Sequence, residues 1–332
     1  MLQGGLQRRD SPTAEVGVDR QPGTHTIRLL PSYWSASVTR GTGQELFMAE
    51  ASRDTGQQAA PLIYRHSVTL RVLHWINALC LFILLLSGLQ IFNAHPTLYW
   101  GMTSDPDRAV LQIFAARGAD GATVGVTQLF GEPFVTTGIL GRSEGTDGRV
   151  ENRAFPQWAT IPSDRWLAMG RRWHFFFGWW LVLNGFLYVG HALISRRFTR
   201  ELLPTVSDWR GIGRSIVDHL RLRHATGADA AHYNILQKLS YLAVMFVMLP
   251  LIVLFGLAMS PQMDTVLQWV LDLVGGRQSA RTLHFVFAFL LVAFFLVHIF
   301  EVIVTGPINN LRSIITGRFR LPRARPDAER SS

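Results

Sequence analysis

The chain has 332 residues, 48% of them hydrophobic and 17% charged, with a mean hydropathy of +0.18, which is too apolar for an average soluble domain and leaves room for several membrane spans. The net charge of +9 and pI near 10.6 do not point to nucleic acid: the basic residues fall between apolar runs, where topology and anionic lipid account for them. The lone cysteine, Cys80, excludes internal disulfides, a CxxCH haem attachment and a four-cysteine iron-sulfur cluster, so any redox group must be held by histidine.

In chain order, residues 1–60 carry scattered arginines with Gly, Pro, Ser and Thr but no apolar core. No cleavable signal peptide is evident there, and the segment is expected to be a disordered extension, with Met48 a candidate alternative start. Four apolar stretches follow at about residues 68–92, 172–194, 236–259 and 282–305, each with roughly 20 apolar residues, enough to cross a hydrocarbon core as a helix. The expected fold is an all-α membrane protein: a four-transmembrane-helix bundle over residues 61–320, with a long outer loop at 93–171 and a basic tail at 321–332.

The linkers set the topology. Arg53, Arg65 and Arg71 precede the first helix. Arg196, Arg197, Arg200, Arg210, Arg214, Arg221 and Arg223 lie between the second and third. Arg312, Arg318, Arg320, Arg323 and Arg325 follow the fourth. By the positive-inside rule these three segments face the cytoplasm, so both termini lie on the inner side of the membrane. The link 260–281 is nearly neutral, and the loop 93–171 balances its arginines with Asp105, Asp107, Asp120, Glu132, Glu144 and Asp147; both face outward. That loop is rich in Gly and Thr around Gly118–Gly148, with Trp100, Trp158, Trp166 and Trp173 near its ends, where the headgroup layer suits tryptophan. Its length favours a docking surface for an outer partner. On the inner side Val206, Trp209, Ile212, Ile216 and Leu220 repeat at helical spacing among Arg210, Arg214 and Arg221, the pattern of a helix lying on the membrane surface.

Of eleven histidines, five fall in or at the ends of the apolar stretches: His74, His174, His191, His284 and His298. One such residue can be a structural hydrogen bond between helices, but the pattern argues for function. His284 and His298 return to nearly the same helix face after 14 residues, about 21 Å along the axis at 1.5 Å per residue. One helix thus offers two ligands at two depths, which accommodates two stacked haems. Under the topology above, depth pairs His74 with His298 near the cytoplasm and His174 with His284 near the outer surface. Two neutral imidazoles leave iron no open position, which favours electron transfer over oxygen binding. His191 lies off the face of His174 and is a spare, near an inner propionate or quinone. Gly88 and Gly178 are candidates for clearance of the macrocycles, against ordinary helix packing. Arg71, Lys238, Arg171, Arg172 and Arg281 are candidates for pairing with propionates, against simply marking the membrane surface.

Arg71 before His74-Trp75, Ser87-Gly88, Pro96-Thr97-Leu98, His174 with Gly178, Tyr233-Asn234 with Gln237-Lys238, and His284 with His298 together resemble the di-haem cytochrome b subunits of respiratory formate dehydrogenase, thiosulfate reductase and Ni/Fe hydrogenase. The resemblance runs from about Arg65 to Arg320, much of the outer loop excepted. It implies two haem b groups held by the four histidines in the pairing reached from depth. It also implies a quinone pocket near the inner haem that includes Asn234, with Tyr233, Gln237 and His298 as expected neighbours. Leu236 departs from the glycine of formate dehydrogenase, so the pocket is expected to differ in shape. The loop end, Ala154-Phe155-Pro156, Trp158-Ala159-Thr160 and Arg171-Arg172-Trp173-His174, is similar to cytochromes that accompany sulfite-oxidase-like molybdopterin enzymes. The implied function is a membrane-anchoring subunit that passes electrons between quinone and a catalytic oxidoreductase subunit at the outer, periplasmic face. A stand-alone quinone-reducing b-type cytochrome is the alternative. A transporter or zinc hydrolase is a third reading, disfavoured because no HExxH or helix repeat occurs.

Overall fold

The computed structural model describes residues 61–196, 198–221 and 233–321. The expected extension over 1–60 and the tail beyond Leu321 lie outside the described residues. Among the described residues four helices are long and apolar enough to cross a membrane: α1 (Val68–Phe92), α2 (Leu167–Ile194), α5 (Ile235–Ala258) and α7 (Arg277–Val304). Between them lie α3 (Val206–Arg210), α4 (Ile212–Leu220) and α6 (Asp264–Val274), and α8 (Pro307–Thr316) follows α7. The spans turn apolar side chains outward, with Phe186 74% and Leu296 62% exposed, as expected where lipid covers them.

Local signals start and stop the helices. Ser67 caps α1 by accepting from the Leu70 N–H, and Asn234 and Gln237 form a reciprocal capping box at the start of α5, each satisfying a backbone donor the helix leaves unpaired. Pro250 lies within α5, and the turn before it, Val244–Met248, widens to π geometry. A proline has no N–H for the residue 246 carbonyl and its ring crowds that group, so the preceding turn loosens. α2 and α7 begin at Leu167 and Arg277, where hydropathy alone suggests 172 and 282; the pair Arg171-Arg172 in α2 and the polar first turn of α7, Arg277-Gln278-Ser279, mask the helix starts from a hydropathy reading.

The membrane part is helical as expected, but the outer loop is not irregular. It contains an antiparallel sheet in the order β2-β3-β4-β5, from Thr97–Tyr99, Ala109–Arg117, Thr123–Leu129 and Glu132–Val135. A small hairpin pairs β6 (Ser143–Glu144) with β7 (Val150–Glu151). The all-α expectation is corrected to a helical bundle carrying a β-rich loop. Its core, Leu98, Ile113, Ala154, Phe155 and Ala159, packs on Leu89 and Phe92 of α1, each large apolar side chain contributing about 1.5–3 kcal/mol relative to exposure. Polar bonds fix the same junction. The Asn93 amide takes both backbone groups of Phe155, at 2.7 and 3.1 Å, and the Thr282 hydroxyl of α7 donates to the Tyr99 carbonyl at 2.6 Å. Arg153, buried within the loop, donates to Gln90 of α1, to Thr160 and to the Ser163 carbonyl.

On the opposite face β1 (Leu62–Tyr64) pairs antiparallel with β8 (Arg318–Arg320), tying the entry of α1 to the exit of α8. Gly317 ends α8 at φ 82°, and a Cβ there would meet the Tyr64 ring at 2.6 Å, so both backbone and space require glycine. α3 and α4 form where the sequence places a surface helix, and Val206, Trp209 and Ile216 remain exposed.

Candidate functional site

α7 passes His284 near its loop-side end and His298 one long stretch later, and a different helix meets each. The His174 ring of α2 faces His284 with centroids 6.0 Å apart and planes at 67°. The His74 ring of α1 faces His298 at 6.5 Å and 52°. A metal–imidazole bond is about 2.0–2.1 Å and a ring nitrogen lies roughly 1.1 Å from its centroid, so two imidazoles sharing one metal stand with centroids about 6.3 Å apart. Both pairs have the spacing for one metal each.

Hydrogen bonds decide which nitrogen of the loop-side rings is available. His284 Nδ1 lies 2.8 Å from the Ile252 carbonyl, which can only accept, so Nδ1 carries the proton. His174 Nδ1 lies 3.2 Å from Ser87 Oγ. That hydroxyl gives its hydrogen to the Ile83 carbonyl at 2.7 Å and is left as an acceptor, so His174 is also protonated on Nδ1. In both rings the Nε2 lone pair remains for a metal, the usual device by which an outer partner selects the ligating nitrogen.

Among the described residues no three His, Cys, Asp or Glu side chains converge on a metal position. Sites with two protein donors suit a metal that brings its own in-plane donors, as iron in a porphyrin does, and not tetrahedral zinc. Arg71, one turn before His74, has a buried Nε with no partner among the described residues, a donor available to an acidic group, while its Nη1 donates to the Ile315 carbonyl.

Three of the other basic candidates have partners within the protein. Lys238 donates to Asp208 at 2.7 Å, Arg281 donates to the His95 carbonyl, and Arg171 lies over the Phe175 ring; Arg172 is exposed. The Asn234 and Gln237 side chains are engaged in capping α5. Tyr233 packs edge-on to Tyr241 with centroids 5.3 Å apart, and the Arg65 guanidinium lies over its ring. His191 lies 3.4 Å from the Ser67 hydroxyl at the start of α1 and joins neither ring pair.

Gly88 faces His174: a Cβ there would lie 3.3 Å from its Cε1. Gly178 has open space, with Leu84 the nearest group at 4.0 Å. A residue the sequence reading misses is Gly256 of α5, whose Cβ would lie 3.1 Å from His284 Cε1; its only signal was a lone glycine in an apolar span. Also missed were the Asp208–Lys238 pair and the approach of His219 to Glu301 at 3.4 Å, because each joins a surface helix to a span far away in sequence.

Residues 65–317 match the family model described as prokaryotic cytochrome b561. Over 136 residues, 40% of this chain, the sequence is 34% identical to a protein of Azospira oryzae named putative protein-methionine-sulfoxide reductase subunit YedZ1, and the match spans 65% of that relative's length.

Proposed function

Because the chain belongs to the prokaryotic cytochrome b561 family, and is thus an integral membrane protein of b-type haem, we propose that it carries two haems and moves electrons between the membrane quinone pool and a partner oxidoreductase. His74 and His298 hold one haem and His174 and His284 the other. The observation that carries the reading is the pair of imidazole pairs, at 6.5 and 6.0 Å, spaced along a single helix.

Haem iron supplies one-electron exchange between its ferrous and ferric states. The chain's own histidines would hold the iron of each haem, and Ser87 and the Ile252 carbonyl set the tautomer of the loop-side rings. Quinone is exchanged near the His74–His298 pair. Tyr233 contributes to that region, while Asn234 and Gln237 act by holding the first turn of α5.

Arg65, Arg71, Arg196, Arg210, Arg214, Arg221, Arg312, Arg318 and Arg320 cluster in the segments opposite the loop, which supports a cytoplasmic position for that face and both termini in a bacterial inner membrane. The β-rich loop then faces the periplasm and receives the partner. The relative's name as a reductase subunit supports a catalytic partner, and the similarity of the loop end to cytochromes that accompany molybdopterin enzymes supports that class.

The test is purification in mild detergent with haem and protein assayed together, followed by anaerobic addition of a quinol. Two haems b per chain, reduced by quinol and reoxidised by a co-purifying molybdenum subunit, are expected. One haem or none per chain overturns the di-haem assignment, and quinol-inert haem overturns the quinone link. Full reoxidation by a small molecule with no protein partner favours a stand-alone cytochrome.

A further inference from the structure

Gly88 and Gly256 stand in equivalent positions on different helices. A Cβ at Gly88 would lie 3.3 Å from Cε1 and 3.6 Å from Nδ1 of His174, and one at Gly256 would lie 3.1 and 3.3 Å from the same atoms of His284. Beside each glycine an acceptor meets the same imidazole: Ser87 Oγ, from the residue before Gly88, lies 3.2 Å from His174 Nδ1, and the Ile252 carbonyl, four residues before Gly256, lies 2.8 Å from His284 Nδ1. In a helix the side chain of residue i+4 leans back over the turn before it and covers the carbonyl of residue i. Glycine at i+4 leaves that carbonyl's second lone pair open to a group from a neighbouring helix. A glycine against an imidazole, with an acceptor for its Nδ1 alongside, occurs once on α1 and once on α5, and the two imidazoles are those that face each other.

We propose that Gly88 and Gly256 are a matched pair of positioning residues that admit the His174 and His284 rings to the acceptors beside them, Ser87 Oγ and the Ile252 carbonyl, so that both Nδ1–H groups are held and both Nε2 atoms are aimed at one iron. The inference rests on the ligation proposed above. It extends that reading by naming what orients the ligands and by making the two haem layers unequal. Among the described residues no hydrogen bond reaches a ring nitrogen of His74 or His298, whereas both loop-side rings are held. A ligand that donates from Nδ1 to an acceptor is more basic and favours ferric over ferrous iron, so loss of the hold raises the potential of the loop-side haem alone.

The experiment uses full-length protein in detergent, as wild type and as Ser87→Ala, Gly88→Ala and Gly256→Ala, with redox titration and low-temperature EPR of the ferric low-spin signals. Ser87→Ala is expected to keep both haems, to shift one EPR signal, and to lower the ferric-to-ferrous ratio of that haem at fixed poise by up to about tenfold, equivalent to about 59 mV. The other haem stays at its wild-type position and reports that the bundle is folded. In Gly88→Ala and Gly256→Ala the added methyl displaces the imidazole, so the same signal shifts or that haem alone is lost. Both signals at wild-type positions in all three variants overturn the proposal. So does equal loss of both haems in all three, since that marks a general packing role. Failure of the underlying ligation is read separately: His174→Ala would then retain both haems.

Discussion

Lys238 Nζ lies 2.7 Å from Asp208 Oδ2, joining the first turn of α5 to α3. Lys238 is buried, and Asp208 supplies the acceptor its ammonium needs there. The Lys238 hydrogen bond, followed by the Thr205 backbone, holds the Asp208 carboxyl below its ordinary range. A depressed carboxylate contributes stability that is complete above its unfolded value, near 3.8, and is lost as pH falls through the folded value. The α3 attachment is therefore expected to be insensitive to pH between about 5 and 8, a range that lies above both values. Asp208→Asn is expected to cost about 1–3 kcal/mol, since it leaves an ammonium without its counter-charge. Thermal unfolding of variant and wild type checks both statements, and an unchanged midpoint for Asp208→Asn opposes the assignment.

Replacing single histidines separates the layers. His284→Ala is expected to lower haem content from two per chain to one and to leave the His74–His298 haem, whereas His298→Ala leaves the other. Pyridine haemochrome assay against protein concentration reads the ratio. His191→Ala, which removes a ring that joins neither pair, should keep both haems.

The loop junction depends on Arg153 and Asn93. Arg153→Met leaves Gln90, Thr160 and the Ser163 carbonyl without their donor, and Asn93→Ala removes both bonds to the Phe155 backbone. Each unsatisfied buried group costs about 1–3 kcal/mol. Faster proteolysis within residues 93–166, with haem spectra unchanged, is the expected outcome; wild-type cleavage rates in both variants would refute it.

His95 adds a pH response to the same junction. Burial, then the charge of Arg281, lowers its pKa from 6.5, so the folded state favours the neutral ring. For a group of this sign, stability is complete above the unfolded value and declines as pH falls from there toward the folded one. Loop attachment is thus expected to weaken as pH falls below about 6.5, and His95→Gln should remove that slope. Proteolysis rates at pH 7.5 and 5.5 provide the comparison.

Phe130 and Gly131 join β4 to β5 with φ of 49° and 91°, a turn in which both central residues are left-handed, where asparagine or glycine is favoured. Phe130 is 76% exposed and has little packing to offset the strain. Phe130→Asn is expected to stabilise the loop by roughly 0.5–1 kcal/mol. A rise in thermal midpoint or slower loop proteolysis checks it; destabilisation would mean the ring has a contact that matters.

The loop strands were legible in part. Asp120-Gly121 is a hairpin signal, and Gly118 N–H closes that turn on the Ala122 carbonyl at 2.7 Å, while Thr123–Leu129 contains alternation typical of a strand. Abundant Gly and Thr obscured both. The β1–β8 pair carried no comparable signal, because three-residue strands have too little pattern and their partners lie at opposite ends of the described chain.

The sequence by itself determined that four helices are long and apolar enough to cross a membrane and that His284 and His298 share one of them 14 residues apart, because span length and rise per residue are local properties of an apolar run. Only the tertiary structure decided which acceptor holds each loop-side imidazole, why Gly256 is glycine, which partners engage Lys238 and Arg281, and that the outer loop is a sheet seated on α1 and α7. Each of those depends on the distance between residues remote along the chain. Hydropathy and helical period carry no information about such distances until the helices are packed.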